Sequence, residues 1–260
     1  MNKILITGGS CFSECTAIHV DTWPKHLIKL LNQHGYNNHV SCAKAAYSNA
    51  MITRTVMYEV IKALKDYDPN DILVGIMWSG INMFDYRCDD NSTLSWDKES
   101  WGARNPCSWQ ANPVSVVDGA PRNWVLGEIH WHLPEFSNYS KNYYSNIGSS
   151  IVSLEYVLQL QYFLKMKGIS YFFTDYINNN IVKEEDQNNI EIAYLLNELD
   201  RNNYLPIESE HNWLITHSET KDEYIALHKN IKWYRHPKTH QHIEFVDKVV
   251  YPWLQQKGYL

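Results

Sequence analysis

A serine and a histidine stand near opposite ends of this sequence, each in a setting that suits nucleophilic catalysis. Ser10 follows two glycines and a short apolar run, which predicts a sharp turn at the end of a buried strand. Hydrolysis through a serine needs such a hydroxyl, donors for the oxyanion, and a histidine that accepts the serine proton. His236 is the candidate for that base. The alternatives are a capping serine in a glycine turn at Ser10 and, for His236, His240 and His242, three solvent-facing polar residues near a helix start.

Cysteines and further histidines permit two other chemistries. Cys11 and Cys15 would be activated thiolates at a helix N-terminus, and the alternative is that both are small buried thiols. The histidines that could serve a zinc site are His130, His132, His236, His240 and His242. The five cysteines are odd in number and irregularly spaced, and they include no CxxC pair, so reduced thiols are expected. We therefore expect no metal and no cofactor.

The elements that would position Ser10 and His236 alternate between strand and helix. Apolar runs predict strands at 4–6, 40–43, 72–77 and 169–174, and helical spacing predicts helices at about 23–33, 48–65 and 150–167. This alternation predicts one α/β domain over residues 1–260, with a parallel sheet covered by helices on both faces. Ligands of such sheets bind at the carboxyl ends of the strands.

Residues 86–146 interrupt the alternation. This segment carries tryptophans among Asn, Ser and Pro, with little periodicity, so we interpret it as a long insertion. Its tryptophans are Trp96, Trp101, Trp109, Trp124 and Trp131. A long irregular segment in a compact domain is usually functional, which predicts a lid, a binding surface or an assembly surface there. The aromatic rings could stack on sugars or join copies of the chain in a homo-oligomer.

Charge and hydropathy exclude several classes of partner. The formal net charge is −6, and the basic residues are scattered, so nucleic acid is not expected as a partner. No apolar run is long enough for a membrane helix, and the apolar run at the N-terminus is too short for a signal peptide. We therefore expect a cytoplasmic protein with no membrane partner.

Four blocks of this sequence resemble those of the SGNH/GDSL hydrolases. Residues 9–14, GSCFSE, are similar to the first block of that superfamily and especially of its GSCFA branch. Residues 80–83, GINM, are similar to the third block, G-x-N-D, and residues 236–242, HPKTHQH, to the fifth block, H-P-S-x-x-G-H. The second block, which ordinarily holds a glycine, resembles residues 45–49, AAYSN. The resemblance covers roughly residues 1–85 and 147–257.

The resemblance implies a fold, a reaction and a set of site residues. The fold would be a flavodoxin-like three-layer α/β/α sandwich. The reaction would be hydrolysis of a carboxylic ester through an acyl intermediate on Ser10, with His236 as base. The oxyanion would be held by the N–H groups of Ser10 and Ala46 and by the side chain of Asn82. The residues expected to line the substrate site are Gly9, Tyr47, Asn49, Trp78 and Trp233.

The sequence departs from the family where acids are expected. Trp233 occupies the position of the triad acid in the family's D-x-x-H, and Met83 replaces the Asp of the third block. The acid orients the imidazole, and its loss lowers the rate while leaving residual activity. Three possibilities remain open: a Ser-His dyad, an acid supplied from elsewhere in the chain, and a protein that has kept the fold and lost the chemistry. The candidates for a displaced acid are Asp175, after the last predicted strand, and then Asp85, Glu128 and Asp222.

Two functional hypotheses follow from the resemblance. The first is a serine esterase whose substrate is a small-molecule or glycan ester, with a carbohydrate O-acetyl group as one candidate. The second is a catalytically impaired SGNH-like protein with a structural or binding role. The Trp23-Pro24 helix start and the Ser-Asn and Trp-Ser-Gly segments are also similar to those of phage-encoded SGNH-like proteins, which would imply a viral origin and a location in the host cytoplasm.

Overall fold

Four parallel strands form the central sheet. The computed structural model describes residues 2–9, 13, 20–43, 47–81, 83–87, 124–128, 145–176, 182, 186–230 and 236–260. The strands there are β1 (Lys3–Gly8), β2 (Tyr36–Ser41), β3 (Ile72–Trp78), β4 (Met83–Arg87), β5 (Trp124–Glu128) and β6 (Ser170–Asp175). The order in the main sheet is β2-β1-β3-β6, all parallel. Strands β4 and β5 form a separate antiparallel pair.

Helices connect the strands and cover the sheet. They are α1 (Trp23–Leu31), α2 (Asn49–Ala63), α3 (Asn146–Met166), α4 (Ile190–Asn197), α5 (Glu210–Thr216), α6 (Lys221–Asn230), α7 (Thr239–Phe245) and α8 (Tyr251–Gln256). A π-helical stretch, Val246–Val250, joins α7 to α8. Short 3₁₀ turns lie at Asn32–His34, Pro69–Asp71 and Arg201–Asn203. No helix within these described ranges is both long enough and apolar enough to cross a membrane.

Successive side chains of the central strands enter two separate cores. In β1, Ile4 and Ile6 pack with residues of α2 and α3, while Leu5 packs with residues of α1 and the C-terminal helices. This alternation follows from the two-residue period of a strand. All seven residues of β3 are buried, as expected for an inner parallel strand covered on both faces. The result is three layers, with the sheet between two groups of helices.

The predicted α/β three-layer fold is confirmed, with corrections to two boundaries and to the insertion. Strand β2 begins at Tyr36 rather than Val40, because its polar residues pair with the backbone of β1. Helix α3 begins four residues earlier than predicted, because the Ser145 hydroxyl accepts a hydrogen bond from the Gly148 N–H at 3.2 Å. The predicted insertion contains regular structure, since β5 lies within it and pairs antiparallel with β4, which begins before it at Met83. Residues 88–123 and 129–144 lie outside the described part of the chain.

Candidate functional site

Three strands end together at the carboxyl edge of the sheet. The last residues of β1, β3 and β6 are Gly8, Trp78 and Asp175, and Trp78 is in register with Asp175. This is the edge at which parallel α/β sheets bind ligands. The predicted site residues Ser10, Ala46, Asn82 and Trp233 lie outside the described residues, so their roles stay predictions.

Gly9 and Ser13, the described residues directly after β1, are packed near the start of α1. Gly9 is buried, and a Cβ atom on it would overlap the Ser13 side chain, so a residue with a side chain would displace this turn. Ser13 Oγ accepts a hydrogen bond from Trp23 Nε1 at 3.0 Å, and the Ser13 carbonyl accepts one from Thr22 Oγ1 at 2.6 Å. These contacts fix the chain on both sides of Ser10.

A second set of contacts fixes the start of α2 against the end of β3. The Asn49 side chain accepts a hydrogen bond from the Ser79 N–H at 2.8 Å and donates one to the Ser79 carbonyl at 3.1 Å. Tyr47 and Trp78 are also buried, and the Trp78 ring packs edge-on against Phe173 at 5.1 Å. Tyr47, Asn49 and Trp78 therefore lie close to the edge but are enclosed, and their contact with substrate stays a prediction.

The segment that carries His236 reaches the same part of the molecule. Thr239 Oγ1 accepts a hydrogen bond from the backbone N–H of Asp21 at 3.1 Å. Asp21 directly precedes Thr22, whose hydroxyl contacts the Ser13 carbonyl. His236 is partly buried and lies three residues before Thr239. The contacts thus bring the block of His236 to the end of α1 that Ser13 also contacts, although 226 residues lie between Gly9 and His236 in the sequence.

Asp175 is a carboxylate with an unusual environment. Its Oδ1 atom is buried without a hydrogen-bond partner among the described residues. Burial raises the pKa of Asp175 to about 7, and the nearby charge of Arg201 opposes that shift. Such a group is a functional-site candidate. Its role as the acid for His236 stays a prediction.

Of the other candidates for a displaced acid, the structure describes the side chain of Asp222. Asp222 is exposed on the first turn of α6. The backbones of Asp85 and Glu128 lie in β4 and β5, and their side chains lie outside the described part of the structure. Of the two candidate acids whose side chains are described, Asp175 is therefore the one that lies at the carboxyl edge of the sheet.

A cavity lies along the outer edge of β6. Its volume is about 840 Å³, and its wall includes Asp175, Tyr204 and Leu205. The Leu205 N–H donates to the Phe173 carbonyl at 2.9 Å, so this segment runs beside the edge strand. The Arg201 guanidinium lies 5.6 Å from the centre of the Tyr204 ring. This volume suits a small molecule, and Asp175 connects the cavity to the carboxyl edge.

One buried polar pair was not predicted from the sequence. His242 Nδ1 and Glu210 Oε1 are 2.7 Å apart, and the two side chains are 1% and 0% exposed. His242 belongs to the block of His236, where a solvent-facing histidine had been the alternative; for His242 that alternative is wrong. Glu210 follows Ser209, which caps α5 by accepting from the Asn212 N–H at 3.0 Å. In the sequence, Ser209 and Glu210 look like an ordinary helix start, so nothing there predicts a functional role for Glu210. The block that contains His242 was the part of the pair that the sequence singled out.

The arrangement of the histidines does not favour the zinc hypothesis. His240 contacts Glu223 and His242 contacts Glu210, so the two rings have different carboxylate partners. Across the described ranges, no group of three or more His, Cys, Asp and Glu side chains could hold a metal ion. His130, His132, Cys11 and Cys15 lie outside those ranges. Cys42 is buried, which raises the pKa of its thiol and makes a reactive thiolate unfavourable.

Comparison with known proteins finds a distant structural likeness. No protein-family model and no curated protein matches the sequence. The structure is similar to the crystal structure of the protein YxiM from Bacillus subtilis, with 13% sequence identity and a TM-score of 0.47. The alignment covers 99% of this chain and 57% of that chain, so this chain spans little more than half of the YxiM chain. A likeness at this level assigns no function.

Proposed function

We propose that this protein is an SGNH-type serine hydrolase that cleaves a carboxylic ester. Ser10 is the nucleophile and His236 the general base, while the N–H groups of Ser10 and Ala46 and the Asn82 side chain bind the oxyanion. The observation that carries the proposal is the junction at the start of α1. There Ser13 contacts Thr22 and Trp23, and the neighbouring Asp21 contacts Thr239, which supports a meeting of the blocks of Ser10 and His236 near the start of α1.

The proposed reaction has two halves. His236 takes the proton of the Ser10 hydroxyl as the serine oxygen attacks the ester carbonyl carbon, and the oxyanion forms among the three donors. The carbon–oxygen bond to the alcohol then breaks, and the imidazolium of His236 protonates the departing oxygen. Water attacks the acyl-serine with His236 again as base, which releases the carboxylic acid and returns the proton to Ser10.

The surroundings of the site favour a small substrate group next to Ser10. The turn of Gly9 and the end of β3 are tightly packed, while the cavity beside β6 offers room further along the edge. We propose a small acyl group at Ser10, such as an acetyl group, with the alcohol part of a small molecule or glycan directed towards the cavity. We further propose that the protein acts in a cytoplasm, the host cytoplasm if the gene is viral.

Hydrolysis of short-chain p-nitrophenyl esters tests this proposal. We compare the wild type with Ser10→Ala, His236→Ala and the matched control His240→Ala, which changes an exposed histidine of the same block. We expect both catalytic substitutions to lower kcat by on the order of 10³-fold or more, and His240→Ala to leave kcat nearly unchanged. Equal loss in all three variants would count against a specific role for His236.

The second candidate function is a non-catalytic binding protein with the same fold. It is favoured by Trp233 at the position of the triad acid, since an indole cannot stabilise an imidazolium as a carboxylate does. Wild-type turnover equal to that of Ser10→Ala would support this candidate. Binding of an acetylated oligosaccharide without its hydrolysis, measured by calorimetry, would then identify the ligand class.

A further inference from the structure

The geometry points to Glu210 as a positioning residue that, through its buried contact with His242, holds the segment carrying His236 in place. This inference rests on the proposed function, because it concerns the base of that reaction. It gives the block of His236 a carboxylate anchor in a chain that has Trp233 at the usual position of the acid.

The contact between Glu210 and His242 is short and fully enclosed. Oε1 of Glu210 lies 2.7 Å from Nδ1 of His242, and the two side chains are 0% and 1% exposed. A hydrogen bond sheltered from water is stronger than an exposed one, and losing one partner leaves the other unsatisfied. The second oxygen, Oε2, is also buried and has no partner among the described residues, so the described hydrogen bonding of the Glu210 carboxylate is with His242.

Glu210 is in turn fixed to the carboxyl edge of the sheet. The next residue, His211, donates its backbone N–H to the carbonyl of Tyr176 at 3.0 Å, and Tyr176 directly follows β6. The His211 ring also contacts the Tyr224 hydroxyl at 2.8 Å, which joins α5 to α6. The contacts of α5 with the sheet edge therefore fix the position of Glu210, and Glu210 in turn fixes the position of His242.

Hydrogen bonds at the start of α7 connect His242 to the segment that contains His236. The N–H groups of Gln241 and His242 donate to the Lys238 carbonyl at 3.0 and 3.1 Å, and the Gln241 side chain accepts from the Lys238 N–H at 2.9 Å. Lys238 is thus rigidly joined to His242. Between Lys238 and His236 lies only Pro237, which is buried and whose ring fixes its own φ angle. A displacement of His242 would therefore move His236.

Kinetics of Glu210 variants test the role. We expect Glu210→Ala to lower kcat on p-nitrophenyl acetate about 100-fold with KM nearly unchanged, because a misplaced base slows chemistry without weakening substrate binding. Glu210→Gln retains an oxygen that can accept from His242 Nδ1–H and should recover most of the lost kcat. His242→Asn places an amide donor near the position of Nδ1 and should likewise exceed His242→Leu.

Leu160→Ala is the matched control for a general loss of stability. Leu160 is fully buried in α3, away from the start of α7, and its truncation weakens the core without touching the anchor. We expect it to leave kcat unchanged. An equal fall in kcat for Leu160→Ala and Glu210→Ala, or a change in KM alone, would overturn the inference, as would Glu210→Gln no better than Glu210→Ala.

Hydrogen exchange separates failure of this inference from failure of the proposed function. If the wild type shows no turnover above Ser10→Ala, the proposed function fails, and exchange of the Gln241 and His242 amides decides the inference. Faster exchange at these amides in Glu210→Ala, recovered in Glu210→Gln and absent in Leu160→Ala, would support the anchoring role. Unchanged exchange in Glu210→Ala would overturn it.

Discussion

Two carboxylates hold the start of α7, one buried and one exposed. Glu210 contacts His242 at 2.7 Å with both side chains enclosed. Glu223 contacts Lys238 at 2.6 Å and His240 at 2.9 Å, and these three side chains are 43–47% exposed. The distances are nearly equal, so geometry alone does not distinguish the two contacts. Their exposure to solvent does distinguish them. It determines how much each contact contributes to the free energy of unfolding.

The two contacts differ in energy because an exposed group can bind water when its partner is removed, whereas a buried group cannot. A buried carboxylate or imidazole that loses its partner cannot turn to water, so the loss is large. An exposed carboxylate regains water at once, and salt screens what attraction it had. The hydrogen bond from Lys238 and the contact with His240 lower the pKa of Glu223, but this shift belongs to a solvated group and contributes little to folding.

The largest effect is expected when the buried pair is broken. Glu210→Ala should lower the free energy of unfolding by about 3 kcal/mol, because it leaves His242 buried without its partner. Urea denaturation followed by far-ultraviolet circular dichroism measures this. The double variant Glu210→Leu with His242→Leu should recover most of the loss, since apolar side chains of similar size remove both polar groups together. A double variant as unstable as Glu210→Ala would contradict this explanation.

An intermediate effect is expected at Asp175, a carboxylate with a buried oxygen that lacks a partner among the described residues. Because burial raises its pKa to about 7, the folded protein retains a proton that the unfolded chain releases near pH 4. Stability should therefore fall as the pH rises from about 4 to 7. Asp175→Asn should remove this dependence and be more stable than wild type by roughly 2 kcal/mol at pH 8.

Urea denaturation at a series of pH values checks this prediction. Parallel stability curves for wild type and Asp175→Asn between pH 4 and 8 would show that Asp175 titrates normally. Asp175→Asn also bears on catalysis, since Asp175 is the predicted acid for His236. A large fall in kcat in Asp175→Asn, with the protein folded, would favour Asp175 in that role.

The smallest effect is expected at the exposed carboxylate. Glu223→Gln should leave the urea midpoint unchanged within error at 0.15 M salt, because Glu223, Lys238 and His240 are open to water. Measuring the midpoint at low and high salt sharpens the comparison, since any contribution of Glu223 should disappear at high salt. A loss as large as that of Glu210→Ala would mean that exposure does not distinguish the two contacts.

Much of the fold could be predicted from local patterns. The apolar runs that became β3 and β6 were predicted to within one residue at each end, because inner parallel strands are continuously apolar. The start of α2 was predicted at residue 48, and there Ser48 caps the helix by accepting a hydrogen bond from the Met51 N–H at 3.2 Å. Strand β2 was misplaced because its sequence, Tyr-Asn-Asn-His-Val-Ser, is mostly polar, and only pairing with β1 makes it a strand.

The candidate site was only partly predictable. The sequence by itself determined which blocks carry a serine, an asparagine and histidines, because residue types and local spacing are visible there. The tertiary structure alone decided that His242 meets Glu210, 32 residues away, and that Asp175 ends up beside the cavity at the edge of β6. Burial and partner choice depend on chain segments distant in sequence, and a side chain's charge and contacts follow from that environment rather than from its neighbours along the chain.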